Sequence, residues 1–326
     1  MSKIKTVAAL AAIFLAGSVV ARAQDYPNRT ITMIVPYPAG GPSDVVARIM
    51  AEGMGKVLKQ TIIIENIGGA GGTIGTTRLT TAAPDGYTLL AASMGSLVSA
   101  PAVTPNVRYD SIKDFTMVGL TANAPVAVVA KKDFPAKDLK EFVAYIKAHG
   151  DSVKQAHGGI GSSSHMACLL FASETGVKPQ AVAYRGTGPA LNDLIGGHVD
   201  YFCEQIVSVA PATSGKLIKA FVVSGNERSS ALPDVPSAKE AGLPDYQINI
   251  WSAIFAPKGM PKEIVDKLAD ALSKTLDDPA VAQKLAKLGG TVPKAADRGP
   301  AHLEALLKAD VARWHPILTE AMKQAK

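Results

Sequence analysis

Short apolar runs alternate with helix-period segments along almost the whole chain, and this alternation constrains the fold more than any other feature. A strand followed by a helix returns to its sheet by a crossover, so the pattern predicts an α/β protein built on parallel strands. Residues 30–35 read as the first strand, with Ser43 as N-cap of a helix burying Val46, Ile49, Met50 and Val57. Strands at 62–64 and, after the Asp85-Gly86 turn, at 88–91 complete a first unit. Beyond Asn123 the pattern restarts with a strand at 125–130 and a helix whose N-cap Asp138 has Glu141 as capping-box partner, stopping at Gly150.

Further strands are expected at 181–184, 199–203 and 220–223, with a short helix opened by Pro189. An apolar run at 248–256 leads into helices carrying Ile264, Leu268, Leu272, Val281 and Leu285, then a last helix at about 300–323. A chain that leaves one lobe, builds a second and returns gives lobe 1 from 24–125 and 247–326, and lobe 2 from 126–246. Two crossings, near residues 125 and 247, make a hinged cleft.

The N-terminus sets the compartment. Lys3 and Lys5 precede an apolar run over 6–20, and Ala21-Arg22-Ala23 offers small residues around a cleavable bond after Ala23. Residues 1–23 read as a secretion signal, because the run is shorter than the roughly 20 residues a membrane span needs. The mature protein is expected in the periplasm. The formal charge of +6 includes Lys3, Lys5 and Arg22, and the remaining lysines and arginines are scattered rather than clustered. Nucleic acid is therefore not an expected partner. Cys168 and Cys203 permit one disulfide in an oxidising compartment, but their apolar neighbours equally suit two buried thiols.

Several glycine- and serine-rich loops fall between a strand and a helix, where open α/β sheets bind ligands. A helix N-terminus presents unpaired N–H groups and the positive end of its dipole, and glycine lets an anion approach that backbone. The loops 39–44, 68–73 and 159–164 have this form, and Ser93 opens another at 93–96. No Gly-Lys-Ser/Thr follows a glycine cluster, and the Gly69-x-Gly71-x-x-x-Gly75 spacing is only a variant dinucleotide loop, so no nucleotide cofactor is expected. There is no Gly-x-Ser-x-Gly elbow, and Ser162-Ser163-Ser164-His165 places serines beside a histidine without making a triad. Histidine and cysteine spacing predicts no metal. Asp44 suits a loop-capping role or a ligand contact; Arg185 suits a carboxylate fork or the surface. Glu204 is a weaker candidate, since an acid favours neither burial nor an anion. Met94, Val98, Phe202 and Trp251 either shape the cleft or pack the core.

Tyr26-Pro27-x-Arg29, then Val35-Pro36-Tyr37-Pro38-Ala39-Gly40-Gly41-x-x-Asp44-x-x-Ala47-Arg48, resembles the opening of the extracytoplasmic solute receptors of tripartite tricarboxylate transporters, also called Bug or TctC receptors. The resemblance continues through Glu65-Asn66, Gly69-Ala70-Gly71-Gly72-Thr73-Ile74-Gly75, Pro84-Asp85-Gly86-Tyr87, Tyr184-Arg185-Gly186, Leu232-Pro233-Asp234-Val235-Pro236 and Trp251 onward, covering essentially the mature chain. It implies a type II-like, two-lobed periplasmic binding fold, a monomer that closes on its ligand, and delivery to a permease with a large and a small integral subunit. It implies no enzymatic activity. By the same resemblance, Ala39, Gly40, Gly41, Asp44, Ala70 and Gly71 cradle one carboxylate, and Ser162, Ser163 and Tyr184 face it. Ile67-Gly68 stands where a basic residue and proline are common, and Arg185 where lysine is common. A guanidinium fork there predicts a dicarboxylate. An aromatic (terephthalate-like) carboxylate is the second reading, an exported hydrolase the third, and a ligand-binding partner of a sensor shares the same site.

Overall fold

The computed structural model describes residues 26–324, so the expected secretion signal at 1–23 lies outside them. The first unit contains β1 (Ile31–Val35), α1 (Pro42–Leu58), β2 (Ile62–Asn66), α2 (Thr73–Thr80), β3 (Thr88–Ser93) and the short α3 (Ala100–Val103). A long strand, β4 (Phe115–Lys131), leads into α4 (Leu139–His149), β5 (Lys154–His157), α5 (Ser163–Thr175), β6 (Gln180–Ala183), α6 (Thr187–Ile195), β7 (Tyr201–Gln205), α7 (Ile206–Ser214) and β8 (Ile218–Val223). The chain returns through β9 (Asn249–Pro257) and ends in α8 (Lys262–Asp277), α9 (Pro279–Lys287) and α10 (Pro300–Gln324).

The strands form one curled sheet in the order β2-β1-β3-β9-β4-β7-β5-β6, with β8 also on β4. β4 is the shared member: residues from Phe115 to Pro125 pair with β9, and those from Val126 to Ala130 pair with β7 and β8. The apolar run at 125–130 marks only the second half of this strand. The first half alternates small and polar residues such as Thr116, Gly119 and Thr121, which hides its period, and two register shifts bend it against β9. β1, β2 and β3 are parallel, as are β5, β6 and β7, whereas β4, β8 and β9 run antiparallel to their partners. The architecture is therefore mixed rather than all-parallel.

Local differences have local causes. Gly41, not Ser43, is the N-cap of α1, because Pro42 fills the first helical position with its preset φ. Pro189 lies inside the first turn of α6, which begins at Thr187. Val57 is exposed at 37%, since it points away from the sheet. α7 escapes sequence patterning: Ile206, Val207 and Val209 look strand-like, and Pro211 sits inside the helix.

The core lies on both faces of the sheet. One layer packs Met33, Val35, Met50 and Met54 against Leu268, Leu272 and Leu276. A larger one joins Leu90, Leu120 and Phe255 to the aromatic group Phe134, Phe142, Phe171, Tyr201 and Phe221, with Phe142 stacked on Phe221 at 4.5 Å between centroids. Leu303, Leu307, Trp314 and Leu318 of α10 enter that same layer, so the last helix ties the two halves together. A third layer carries Val129, Phe202, Ile206 and Leu194.

Cys168 and Cys203 form a disulfide between α5 and β7, with Cα atoms 5.3 Å apart and a sequence separation of 35 residues. Among the alternatives open in the sequence, the cross-link is the one the fold adopts. A loop of this length is expected to contribute about 3–4 kcal/mol by restricting the unfolded chain. Denaturant melts with and without reductant should differ by about that amount, and the Cys168→Ala, Cys203→Ala pair should reproduce the reduced curve.

Candidate functional site

Four loops leave the C-terminal ends of strands and face one another. After β1, the chain turns at Gly40 (φ 84°) into α1, and Asp44 holds this turn. Its carboxylate accepts from the Gly40 N–H at 3.0 Å, Arg48 Nε at 3.0 Å and Asn66 Nδ2 at 2.9 Å, and Asn66 also donates to the Tyr37 carbonyl. Burial pushes the Asp44 carboxyl up, but the Arg48, Gly40 and Asn66 bonds outweigh it and leave it below the usual carboxylate range. Asp44 therefore shapes the loop, and its oxygens are committed to the protein.

The second loop, after β2, runs through Gly69, Ala70, Gly71 and Gly72, all with positive φ. The Tyr37 hydroxyl donates to the Gly71 carbonyl at 3.2 Å. Burial pushes the Tyr37 phenol up to about 12, so it remains a neutral donor. In the third loop, Ser93 at the end of β3 meets Ser163 at the start of α5, with Oγ atoms 3.4 Å apart.

The fourth loop, from β5 to α5, is templated by two imidazoles. Gly159 N–H donates to His157 Nδ1 and Gly161 N–H to His165 Nδ1, both at 3.2 Å, with the rings 4.5 Å apart. Burial lowers His157, and burial followed by the neighbouring His157 pushes His165 down to about 3. Both rings are neutral near pH 7, as acceptors at Nδ1 must be. His165 is buried. Ser162 caps α5 by accepting from His165 N–H, and the Ser164 hydroxyl accepts from Gly158 N–H at 2.9 Å.

These loops close on a cavity of about 20 Å3, room for little more than one water. Of the residues singled out in sequence, Ser93, Ser162, Ser163 and Glu204 line it. Gly41 and Gly71 lie beside it in the seam between loops. Ala39, Gly40 and Ala70 are exposed at the rim. Tyr184 is outside, its hydroxyl donating to Asp193 at 2.6 Å, and Arg185 is exposed and does not line the cavity. Pro42, Ser43 and Ser164 also line the cavity and fall within the loops 39–44 and 159–164, whereas sequence reasoning missed Tyr37, Gly158, Thr187 and Gln205. Thr187 and Gln205 carried a signal of the right kind, a helix start directly after a strand, but α6 and α7 were misplaced or hidden.

The lining residues open α1 at Pro42 and Ser43, α5 at Ser162 and Ser163, α6 at Thr187 and α7 at Gln205. Four helix N-termini thus converge on one small volume, and among the described residues no lysine or arginine lines it. Each such terminus favours an anion by about 0.3–1 kcal/mol at an exposed site and more when enclosed. A wider groove beside β2, lined by Arg48, Lys56 and Lys59, is open to solvent and has no such convergence.

The loops meet backbone to backbone. A Cβ on Gly71 would fall 2.1 Å from the Ile160 carbonyl oxygen, and one on Gly95 would fall 2.6 Å from the Ser163 nitrogen. Only glycine permits these approaches across the cleft.

A two-lobed α/β molecule whose helix ends face a closed, hydroxyl-lined cavity is a solute receptor. Comparison with known proteins identifies the family: residues 46–322 match the tripartite tricarboxylate transporter family receptor (TctC), and the chain belongs to it. It is 41% identical over 306 residues to the UPF0065 protein of the TAR-I ttuE-ttuC' intergenic region of Agrobacterium vitis, covering 93% of this chain and 88% of that one. The structure of MatC from Rhodopseudomonas palustris with bound malate is similar at TM-score 0.87 and 45% identity, covering 90% of this chain and 100% of that chain. R. palustris Rpa4515 with adipate is similar at TM-score 0.87 and 28% identity, covering 91% and 98%.

Gly71→Ala should hold the loops apart without disturbing either half of the sheet. Overpacking of about 1–3 kcal/mol in the closed form alone predicts carboxylate binding weaker by about 5- to 150-fold in calorimetric titration. The unliganded melting temperature should also fall, because Gly71 has a φ of 65°, a left-handed conformation that alanine rarely adopts.

Proposed function

We propose that this protein captures a small aliphatic dicarboxylate, of the size of malate, in the periplasm and delivers it as a monomer to the integral membrane subunits of a tripartite tricarboxylate transporter. The supporting observation is the convergence of four helix N-termini and the hydroxyls of Ser93, Ser162 and Ser163 on one enclosed cavity. Such a site offers several N–H and O–H donors to a carboxylate without a fixed counter-charge. The signal-like segment at 1–23 supports export. The lobe division read in the sequence, 24–125 with 247–326 and 126–246, is supported by the change of pairing partners along β4 after residue 125.

The lining favours an aliphatic over an aromatic acid: it is rich in hydroxyls, and Tyr37 is the one aromatic ring among the described lining residues. At about 20 Å3 the cavity must open to admit any such ligand. The preference for two carboxylates no longer rests on Arg185, which lies outside the cavity. It rests on the cavity drawing donors from both lobes, and on the similar receptors having malate or adipate bound.

A thermal-shift screen of refolded, ligand-free mature protein against mono-, di- and tricarboxylates, aromatic acids and amino acids tests this reading, because a ligand of the folded state raises its melting temperature. The largest rise is expected with four-carbon dicarboxylates; a rise confined to aromatic acids would overturn the ligand class. Ser163→Ala should lose a bond to a charged group, about 1.5–3 kcal/mol or roughly 10- to 150-fold in affinity. Arg185→Ala should change affinity less than about twofold.

A further inference from the structure

One side chain in the cavity conflicts with its surroundings. Glu204, on β7, is 1% exposed and lines the same cavity as the helix N-termini. Its Oε2 accepts from Thr187 Oγ1 at the start of α6, and its Oε1 accepts from the Gln205 N–H at 2.7 Å. No cationic side chain bonds to it among the described residues. The adjacent Cys203 is cross-linked to α5, so Glu204 cannot withdraw from the serine-bearing helix without straining the staple.

An ionised Glu204 would stand against the anion that the rest of the cavity attracts. Two like charges at hydrogen-bond distance repel strongly where burial excludes water. A proton on one of them removes the repulsion and replaces it with a short, charge-assisted O–H···O bond. We infer that in the liganded receptor Glu204 is a neutral acid that donates its carboxyl proton to a ligand carboxylate oxygen, so that capture of the anion takes up one proton from solvent. Glu204 is then a specificity-determining residue, because it admits a carboxylate only together with a proton. The inference rests on the carboxylate-receptor reading above and deepens it.

The environment of Glu204 is consistent with a proton held near neutrality. Burial pushes its carboxyl up to about 7, against the opposing Thr187 and Gln205 bonds. On the elements around it, Ala127 of β4 lies opposite in register and does not titrate. Tyr37 across the cavity is pushed up and stays neutral, and His157 of β5 and His165 of α5 are pushed down and stay neutral. Asp193 of α6 accepts from Tyr184, and Asp44 of α1 is paired with Arg48. Tyr37, Asp44, His157 and His165 therefore supply no proton change above pH 7 that mimics that of Glu204.

The experiment is calorimetric titration of malate into the refolded mature receptor at pH 6, 7 and 8, in buffers of different ionisation enthalpy. Proton uptake per malate should be small at pH 6, about one half at pH 7 and about nine tenths at pH 8, and Kd should rise about tenfold per pH unit above 7.5. Glu204→Gln, a permanently neutral donor of the same shape, should abolish both the uptake and the pH slope. Malate binding at pH 8 with no proton uptake overturns the inference and leaves the receptor reading intact; this wild-type result decides even if the variant fails to fold. A folded Glu204→Gln that no longer binds also overturns it, and makes Glu204 an ionised acceptor for a ligand hydroxyl or ammonium. Absence of malate binding at every pH overturns the four-carbon reading, and the inference with it.

Discussion

The first N–H groups of a helix have no partners within the helix, and a protein that buries several such ends together must give them an acceptor. Here α1, α5, α6 and α7 direct their N-terminal ends at one cavity of about 20 Å3. Two of these ends are already partly satisfied, by the Ser162 cap on α5 and by the hold of Asp44 on the turn before α1. The remaining donors define the ligand by charge and shape. A carboxylate supplies several acceptors on one small group, which accounts for a binding site without a cationic side chain among its described lining residues.

That convergence follows from the sheet. β4 belongs to both halves, pairing with β9 before residue 125 and with β7 and β8 after it, so the C-terminal ends of the parallel strands in each half open toward the same side. Glycines then let the opposed loops touch through backbone, as at Gly71 with Ile160 and Gly95 with Ser163. The Cys168–Cys203 disulfide fixes the start of α5 relative to Glu204. α10 packs into the core layer common to both halves, which limits how far they can separate. Under the proposed function binding and closure are one process, since the loops that would hold the anion are the loops that meet.

Much of this was legible in the sequence. The α/β class, the strand-to-helix glycine loops and the ordered motifs from Tyr26 to Trp251 locate the cleft and the family before any coordinates. Ser93, Ser162, Ser163 and Glu204 were identified as candidates and line the cavity. Tyr184 was placed there by the family resemblance, and Arg185, just after a strand end, was left between the site and the surface; direction along a loop is not encoded in spacing, and Tyr184 turns to Asp193 and Arg185 to solvent. Thr187, Gln205 and the long first half of β4 were hidden because their neighbours obscure the helix and strand periods. The weight of Glu204 was underestimated for a related reason. An acid in an anion site looks wrong in sequence, and only its burial and its two donors show how it is accommodated.

A crystal structure of the mature protein with malate tests the central claim most directly. One malate carboxylate is predicted to lie at the start of α5, within hydrogen-bond distance of Ser93 or Ser163, with no lysine or arginine touching it. A malate bound against Arg185, or in the basic groove beside β2, would contradict a site built from helix ends.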